Sequence, residues 1–275
     1  MKPKILVIAA LLVSATVTAQ HSATRLWQTD STLKVPESVC FDGQRHVLYV
    51  SNIDGKDPWA KDGQGSIGQV GLDGKIIKVD WVSGLNGPKG IGLHAGKLYV
   101  ADLSEVVVID IAQGKIEKKI AIPDAQNLND VSVGSDGVVY VSDSKLNKIF
   151  RIQNDKPEVY LENLKGANGV LKSGNDFYIV DAGAAYKVNA DKSMTKLADG
   201  MEGGTDGIEK IGPNDFLVSC WQGALWYVKG DGSKELLFDG KSINTNTADI
   251  GYDPATKTVY VPTFLRNSII AFSVK

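Results

Sequence analysis

Tyr140-Val-Ser-Asp143 is one of six copies of a short phrase that recurs along the chain. The other copies are Tyr49-Val-Ser-Asn52, Tyr99-Val-Ala-Asp102, Tyr178-Ile-Val-Asp181, Leu217-Val-Ser-Cys220 and Tyr260-Val-Pro-Thr263. The copies are separated by 50, 41, 38, 39 and 43 residues, a period typical of propeller blades built from four strands. The repeat therefore predicts an all-β fold, a six-bladed β-propeller of four-stranded antiparallel blades.

The last repeat lacks its fourth strand. Each earlier repeat consists of short strands and polar or glycine-rich turns, without helical periodicity. The chain ends after the third strand of the last repeat, in residues 267–274, whereas residues 24–33 precede the first repeat. We expect this N-terminal strand to complete the last blade and close the ring, because closure removes an open sheet edge.

The first residues have the features of a secretory signal peptide. Lys2 and Lys4 precede an apolar run at residues 5–13, and Val17-Thr18-Ala19 supplies the small residues that signal peptidase reads. The run is shorter than the roughly 20 residues of a membrane span. We expect a signal peptide at residues 1–19, a propeller at residues 20–275, and a periplasmic or secreted protein with no stable membrane insertion.

Charge and cysteine usage limit the partners and cross-links. The net charge is −2 and no basic run is present, which argues against a nucleic-acid partner. Cys40 and Cys220 fall in the first and fifth repeats, which are not neighbours, so we expect two separate buried thiols rather than a disulfide. The oligomeric state is open at this level.

Polar residues stand where the six inner strands begin. They are Glu37, Lys89, Asn129, Asp130, Asn168, Asp206 and Asp249. Inner strands of a propeller converge on its axis, and carboxylates brought together there repel one another unless a cation or protons intervene. Hard divalent cations favour such a mixture of carboxylate and amide oxygens. We predict a divalent metal on the axis; the alternative is a polar channel filled with water.

The layout resembles the SMP-30/gluconolactonase/luciferin-regenerating-enzyme family of propellers across residues 24–275. The motifs that carry the resemblance, each in its matching blade, are Pro36-Glu37-Ser38, Asn129-Asp130, Asn168-Gly169 and Asp206-Gly207. The resemblance implies one divalent metal held by Glu37, Asn168 and Asp206, with calcium preferred and zinc, manganese or magnesium as alternatives. It also implies hydrolysis of a lactone or similar ester, with Asp206 additionally activating the attacking water.

The sequence departs from the family's pattern at two positions near the expected substrate site. Cys40-Phe41 stands where the family often has a tryptophan, and Asn127 stands near the place of an arginine that helps to hold sugar lactones. A sugar-acid lactone is therefore less well supported than the metal site. We expect a small-molecule substrate to contact Asn129, Asp130, Lys89, Trp221 and Arg266, with the last two at the rim of the mouth.

The histidines and the polar residues at the phrase ends have positions that favour structural roles. His21, His46 and His94 are not placed to act as a general base, and no Gly-x-Ser-x-Gly motif is present, which argues against a histidine dyad and a serine hydrolase. The polar residues that end four of the phrases are expected to cap the turn that follows each strand. They are Asn52, Asp102, Asp143 and Asp181.

Two alternatives stay open. The longest insertion, residues 53–65, is either a lid or specificity loop or a variable surface loop. The chain is either a metal-dependent hydrolase or a non-enzymatic NHL-like or YncE-like propeller that serves as a binding or interaction scaffold, because the fold alone does not decide function.

Overall fold

The computed structural model describes residues 20–55 and 57–275. The predicted signal peptide, residues 1–19, and Lys56 of the insertion lie outside the described residues. The chain forms six four-stranded antiparallel sheets, one for each predicted blade. In the part of the chain that the structure describes, no helix has the length and apolar character needed to span a membrane.

The strands follow the sequence repeats in order. The chain starts with β1 (Ala23–Gln28). Blade one contains β2 (Pro36–Asp42), β3 (Val47–Asn52), β4 (Gly65–Gly71) and β5 (Ile76–Leu85). Blade two contains β6 (Pro88–His94), β7 (Lys97–Asp102), β8 (Glu105–Asp110) and β9 (Lys115–Ala121). Blade three contains β10 (Leu128–Val133), β11 (Val139–Asp143), β12 (Lys148–Gln153) and β13 (Lys156–Leu161).

The second half has the same plan. Blade four contains β14 (Ala167–Ser173), β15 (Asp176–Asp181), β16 (Ala184–Val188) and β17 (Met194–Ala198). Blade five contains β18 (Thr205–Lys210), β19 (Phe216–Cys220), β20 (Ala224–Val228) and β21 (Lys234–Asp239). Blade six contains β22 (Gly251–Asp253), β23 (Thr258–Pro262) and β24 (Ile269–Val274). Two single turns of 3₁₀-helix lie at Lys241–Ile243 and Phe264–Arg266.

The N-terminal strand closes the ring, as the sequence predicts. β1 is the outer strand of blade six and pairs antiparallel with β24, from Ala23 opposite Val274 to Gln28 opposite Ile270. Trp27 Nε1 donates a hydrogen bond of 2.9 Å to the Leu72 carbonyl of blade one. The first strand therefore joins the last blade to the first.

The repeated phrase supplies the packing between blades. Side chains alternate across a strand, so the first residue of each phrase packs against the next blade and the second against the preceding blade. Tyr178 lies in the cluster shared with blade five, and Ile179 lies in the cluster shared with blade three. Six buried clusters result, one for each junction between neighbouring blades. This packing explains why the phrase recurs.

Candidate functional site

A cavity of about 280 Å³ lies where the inner strands begin. Its lining residues are Glu37, Pro58, Trp59, Lys89, Asn129, Asn168, Asp206, Trp221 and Phe264. Five of them come from the inner strands of five different blades, and four are aromatic or proline residues from loops. We call this the axial cavity. It is at the small end of the size range of ligand pockets, roughly 300–1,000 Å³.

An irregularity in five of the six inner strands positions the polar side chains. In blades three, four and five the pairing of the inner strand with its neighbour shifts at Asn129-Asp130, at Asn168-Gly169 and at Asp206-Gly207. The same shift occurs at Glu37 and at Lys89-Gly90. Such bulges turn side chains out of the regular alternation and are frequent beside functional sites. The first residue of each bulge therefore lines the axial cavity.

Glycine follows three of these residues because the blades come very close together at the axis. A Cβ at Gly169 would lie 2.2 Å from the Asp206 carbonyl oxygen, and a Cβ at Gly207 would lie 2.6 Å from the Ile250 nitrogen. Gly90 has a similar contact, 2.5 Å from the Cα of Asp130. Only a residue without a side chain fits at these positions.

Two acceptor atoms in the axial cavity have no hydrogen-bond partner among the described residues. They are Glu37 Oε2 and Asn168 Oδ1, both buried. Asn168 Nδ2 donates to Asp206 Oδ1 at 3.0 Å, which leaves the amide oxygen available. A buried acceptor without a donor is costly, and a divalent cation with oxygen ligands would satisfy both atoms. The predicted metal ligands Glu37, Asn168 and Asp206 therefore come together in one cavity and fit such an ion.

The predicted ligand set contains two carboxylates and one amide. Across residues 20–55 and 57–275, no group of three or more His, Cys, Asp or Glu side chains is arranged to hold a metal. The predicted ligand set is not such a group, because its third ligand is the amide of Asn168. The described part of the chain thus offers an oxygen-donor site of low charge.

Burial dominates the electrostatics of the cavity. Burial raises the pKa of Glu37 well above its usual range, Lys89 opposes this shift, and Asp206 and Asp130 add to it. Burial and the Asp130 carboxylate raise the pKa of Asp206 to about 7, although Asn168 and Lys89 oppose the shift. In the absence of a cation, the carboxyl groups thus retain protons more readily than exposed ones do.

Lys89 brings a positive charge to the same cavity. Its side chain is only 3% exposed, and its Nζ donates to the Pro58 carbonyl at 3.0 Å and lies 4.4 Å from the centre of the Trp59 ring. Burial lowers the pKa of Lys89, whereas Glu37 and Asp206 oppose this shift. Pro58 and Trp59 belong to the insertion at residues 53–65. This loop therefore forms part of the cavity wall, and the sequence alone did not assign Trp59 to it.

Two residues predicted to contact the substrate lie outside the axial cavity. The Asp130 carboxylate accepts hydrogen bonds from the backbone nitrogens of Val131 at 2.6 Å and Val170 at 2.7 Å, so it joins blades three and four. Arg266 donates to the carbonyls of Asn244 and Ile243 and lines a different cavity. The structure brings together the other three, Asn129, Lys89 and Trp221, at the axial cavity.

A second cavity of about 190 Å³ lies farther along the inner strands. Asp130, Asp249 and Glu209 line it with Cys40 and apolar side chains. Ser38 Oγ donates to Asp249 Oδ2 at 2.5 Å, and burial raises the pKa of Glu209 to about 8. Asp249, which the sequence places in the same ring as Glu37, therefore belongs to this second cavity.

Aromatic rings form the rim of the axial cavity. Trp221 and Phe264 meet edge to face with ring centres 5.6 Å apart, and Trp221 is 41% exposed. Phe264 opens the 3₁₀ turn that also contains Arg266. The sequence feature that could have indicated a rim position for Phe264 is its location shortly after β23, the second strand of blade six.

None of the described histidines and cysteines lines the axial cavity. His21 stacks on Tyr227 with ring centres 3.7 Å apart and contacts Glu235, and none of the described residues that line the axial cavity is a histidine. Cys40 and Cys220 are free, as predicted, and Cys220 is buried as expected, whereas Cys40 is only half-buried.

No protein-family model and no curated protein matches the chain. Solved structures do match. A presumed gluconolactonase superposes with a TM-score of 0.65 at 16% identity, covering 94% of this chain and 93% of that one. A catalytically inactive histidine-to-alanine variant of virginiamycin B lyase from Staphylococcus aureus superposes with a TM-score of 0.63 at 14% identity, covering 92% and 99%.

A third similar structure is that of a nidogen/laminin complex, with a TM-score of 0.64 at 17% identity over 79% of this chain and 84% of that one. At such identities the similarity shows the fold alone. The neighbours thus include a presumed gluconolactonase, a lyase and a protein of a binding complex, all compatible with a propeller.

Proposed function

We propose that this protein is a metal-dependent hydrolase of a lactone or similar ester, with one divalent cation held by Glu37, Asn168 and Asp206. The observation that supports it is the pair of buried acceptors without donors, Glu37 Oε2 and Asn168 Oδ1, in a cavity that also contains Asp206. The three oxygen donors suit a hard divalent cation, and the resemblance to the gluconolactonase family favours calcium.

A bound divalent cation would supply Lewis-acid polarisation of the ester carbonyl and stabilise the negative charge that develops on its oxygen. The chain's own residues do the rest. Asn168 holds the Asp206 carboxyl group by a hydrogen bond of 3.0 Å. Asp206 would accept a proton from the attacking water through the carboxylate oxygen that does not bind the cation. Trp221 and Phe264 at the rim shield the reacting carbonyl from bulk water.

Metal binding is the first test. Protein stripped with EDTA is melted alone and with calcium, magnesium, manganese or zinc. We expect at least one cation to raise the melting temperature, because ligands that bind only the folded state stabilise it. Asp206→Asn should lose this increase, whereas Asp249→Asn, a buried axial carboxyl outside the ligand set, should keep it. If no cation shifts the wild type, the metal site is wrong.

Turnover is the second test. A panel of γ- and δ-lactones and aryl esters is assayed with the stabilising cation and again with excess EDTA. We expect hydrolysis that EDTA abolishes and that Glu37→Gln, Asn168→Ala or Asp206→Asn reduces by about 100-fold or more. Metal binding without hydrolysis of any compound would reject the hydrolase and leave a metal-stabilised binding propeller.

The second candidate is such a binding scaffold. Two observations favour it: the similarity to a propeller in the nidogen/laminin complex and the exposure of Trp221 and Leu265 beside the mouth, 41% and 66%. Lyase chemistry of the virginiamycin type has weaker support, since a single histidine-to-alanine change inactivates that lyase and the described lining of the axial cavity contains no histidine.

We also propose that the protein is exported to the periplasm or secreted. Cleavage before Gln20 would leave every described strand in place, because β1 begins at Ala23. Mass spectrometry of the protein purified from the exported fraction tests this directly; an N-terminus that retains residues 1–19 would contradict it.

A further inference from the structure

The ammonium group of Lys89 has unused hydrogen-bonding capacity in the axial cavity. An ammonium carries three N–H donors, and the described contacts use one, to the Pro58 carbonyl at 3.0 Å. Among the described residues, no carboxylate oxygen lies within 4.0 Å of Lys89 Nζ, so Lys89 is not neutralised by a direct ion pair. Glu37 and Asp206 act on it only through space.

The insertion loop holds this ammonium in position. Pro58 accepts its hydrogen bond, and the Trp59 ring lies 4.4 Å from Nζ, a distance at which a cation and an aromatic face attract. Pro58, Trp59 and Lys89 all line the axial cavity. A buried, pre-positioned cation with free donors at a cavity wall has the properties of an anion-binding group.

The charge and size of the cavity indicate which anion fits. Lys89 is the only cationic side chain among the described residues that line it, and Glu37 and Asp206 line the same space. With the proposed divalent cation bound, Glu37 and Asp206 balance its two charges and Lys89 adds one positive charge, which a dianion such as a phosphate monoester would exceed. A planar carboxylate carries one negative charge and matches one ammonium. The aromatic rim, Trp221 and Phe264, would cover the apolar body of a small ligand.

We propose that Lys89 binds a carboxylate group of the ligand, so that the substrate class is a small lactone or ester bearing a free carboxylate. The inference rests on the proposed function for the reacting ester and extends it to the part of the substrate that does not react. Lys89 is then a specificity-determining residue, and Trp59 positions it.

Binding of benzoate and of its uncharged isostere benzamide tests this without any hydrolysis. Both are titrated by calorimetry into the wild-type protein in EDTA at neutral pH. We expect benzoate to bind at least about tenfold more tightly than benzamide, because hydrogen bonds between charged groups contribute about that factor. Lys89→Met should remove the preference for benzoate over benzamide.

Lys234→Met is the matched control, because Lys234 also lies over a tryptophan, Trp226, at 5.6 Å but outside the described lining of the axial cavity. It should keep the preference. Equal or undetectable binding of the two ligands by the wild type overturns the proposal, as does a preference that survives Lys89→Met. The wild-type comparison decides even if Lys89→Met does not fold.

The result is separable from that of the proposed function, because EDTA removes cations and no bond is broken. A carboxylate preference in a protein that hydrolyses no lactone would support the Lys89 site and reject the hydrolase. Hydrolysis without a carboxylate preference would support the hydrolase and reject the Lys89 site.

Discussion

At the scale of single residues, the glycines beside the site have a structural cause. A Cβ at Gly169 would overlap the Asp206 carbonyl oxygen at 2.2 Å, so glycine is required wherever two inner strands approach this closely. The Asn168-Gly169 and Asp206-Gly207 dipeptides are thus partly a property of blade packing. The chemical information lies in the first residue of each pair.

Gly169→Ala is therefore expected to destabilise the protein by about 3 kcal/mol, because an added methyl group would force two backbones apart. Gly203→Ala is the control, since a Cβ there would meet nothing within 4 Å. Urea unfolding of both variants measures the difference. Equal free energies of unfolding would show that the blades move apart without cost.

At the scale of the elements, the end of each second strand forms hydrogen bonds with the loop that precedes the inner strand of the same blade. The side chain at this position accepts backbone N–H groups in blades one to four; these residues are Asn52, Asp102, Asp143 and Asp181. In blades five and six a backbone hydrogen bond takes its place, from Trp221 to the Gly204 carbonyl and from Ala248 to that of Pro262. The sequence predicts that these residues cap the turn that follows their strand, and among the described contacts only Asp143 does so, through the backbone nitrogens of Lys145 and Leu146. For the other three the prediction is wrong, because their side chains bind the loop that precedes their blade.

Asp143 makes the largest number of these contacts and gives the sharpest test. It accepts hydrogen bonds from the backbone nitrogens of Gln126, Asn127, Lys145 and Leu146. We expect Asp143→Ala to lower the free energy of unfolding by about 3 kcal/mol, because several donors lose their acceptor. Asp191→Ala, in an exposed turn, should cost far less. Similar values in chemical denaturation would contradict this role of Asp143.

At the scale of the whole molecule, the ring depends on a strand from the opposite end of the chain. β1 pairs with β24, and Leu33 packs with residues of blades six and one. Without β1, the outer edge of β24 would be open to pairing with another chain. Closure therefore contributes to stability and covers an edge that would otherwise be free to pair with another chain.

Deleting residues 20–34 should lower the melting temperature by roughly 10 °C or more, because each kcal/mol lost corresponds to about 2–4 °C in a domain of this size. Calorimetry measures the melt, and light scattering after gel filtration detects association through the open edge. Leu26→Ser, on the exposed side of the same strand, is the control and should melt like the wild type. An unchanged melt after the deletion would contradict closure by β1.

The sequence by itself determined the blades. Alternating side chains within each strand and the 38–50-residue period of the phrase are local properties, so the number of blades, the closing strand and the ring of inner-strand residues were predictable. Only the tertiary structure decided which members of that ring share a cavity. Bulges direct Glu37, Asn168 and Asp206 into the axial cavity, whereas Asp130 and Asp249 line the second one. It also brought Trp59 to Lys89 and turned Arg266 away, because loop conformations depend on contacts between residues distant in sequence.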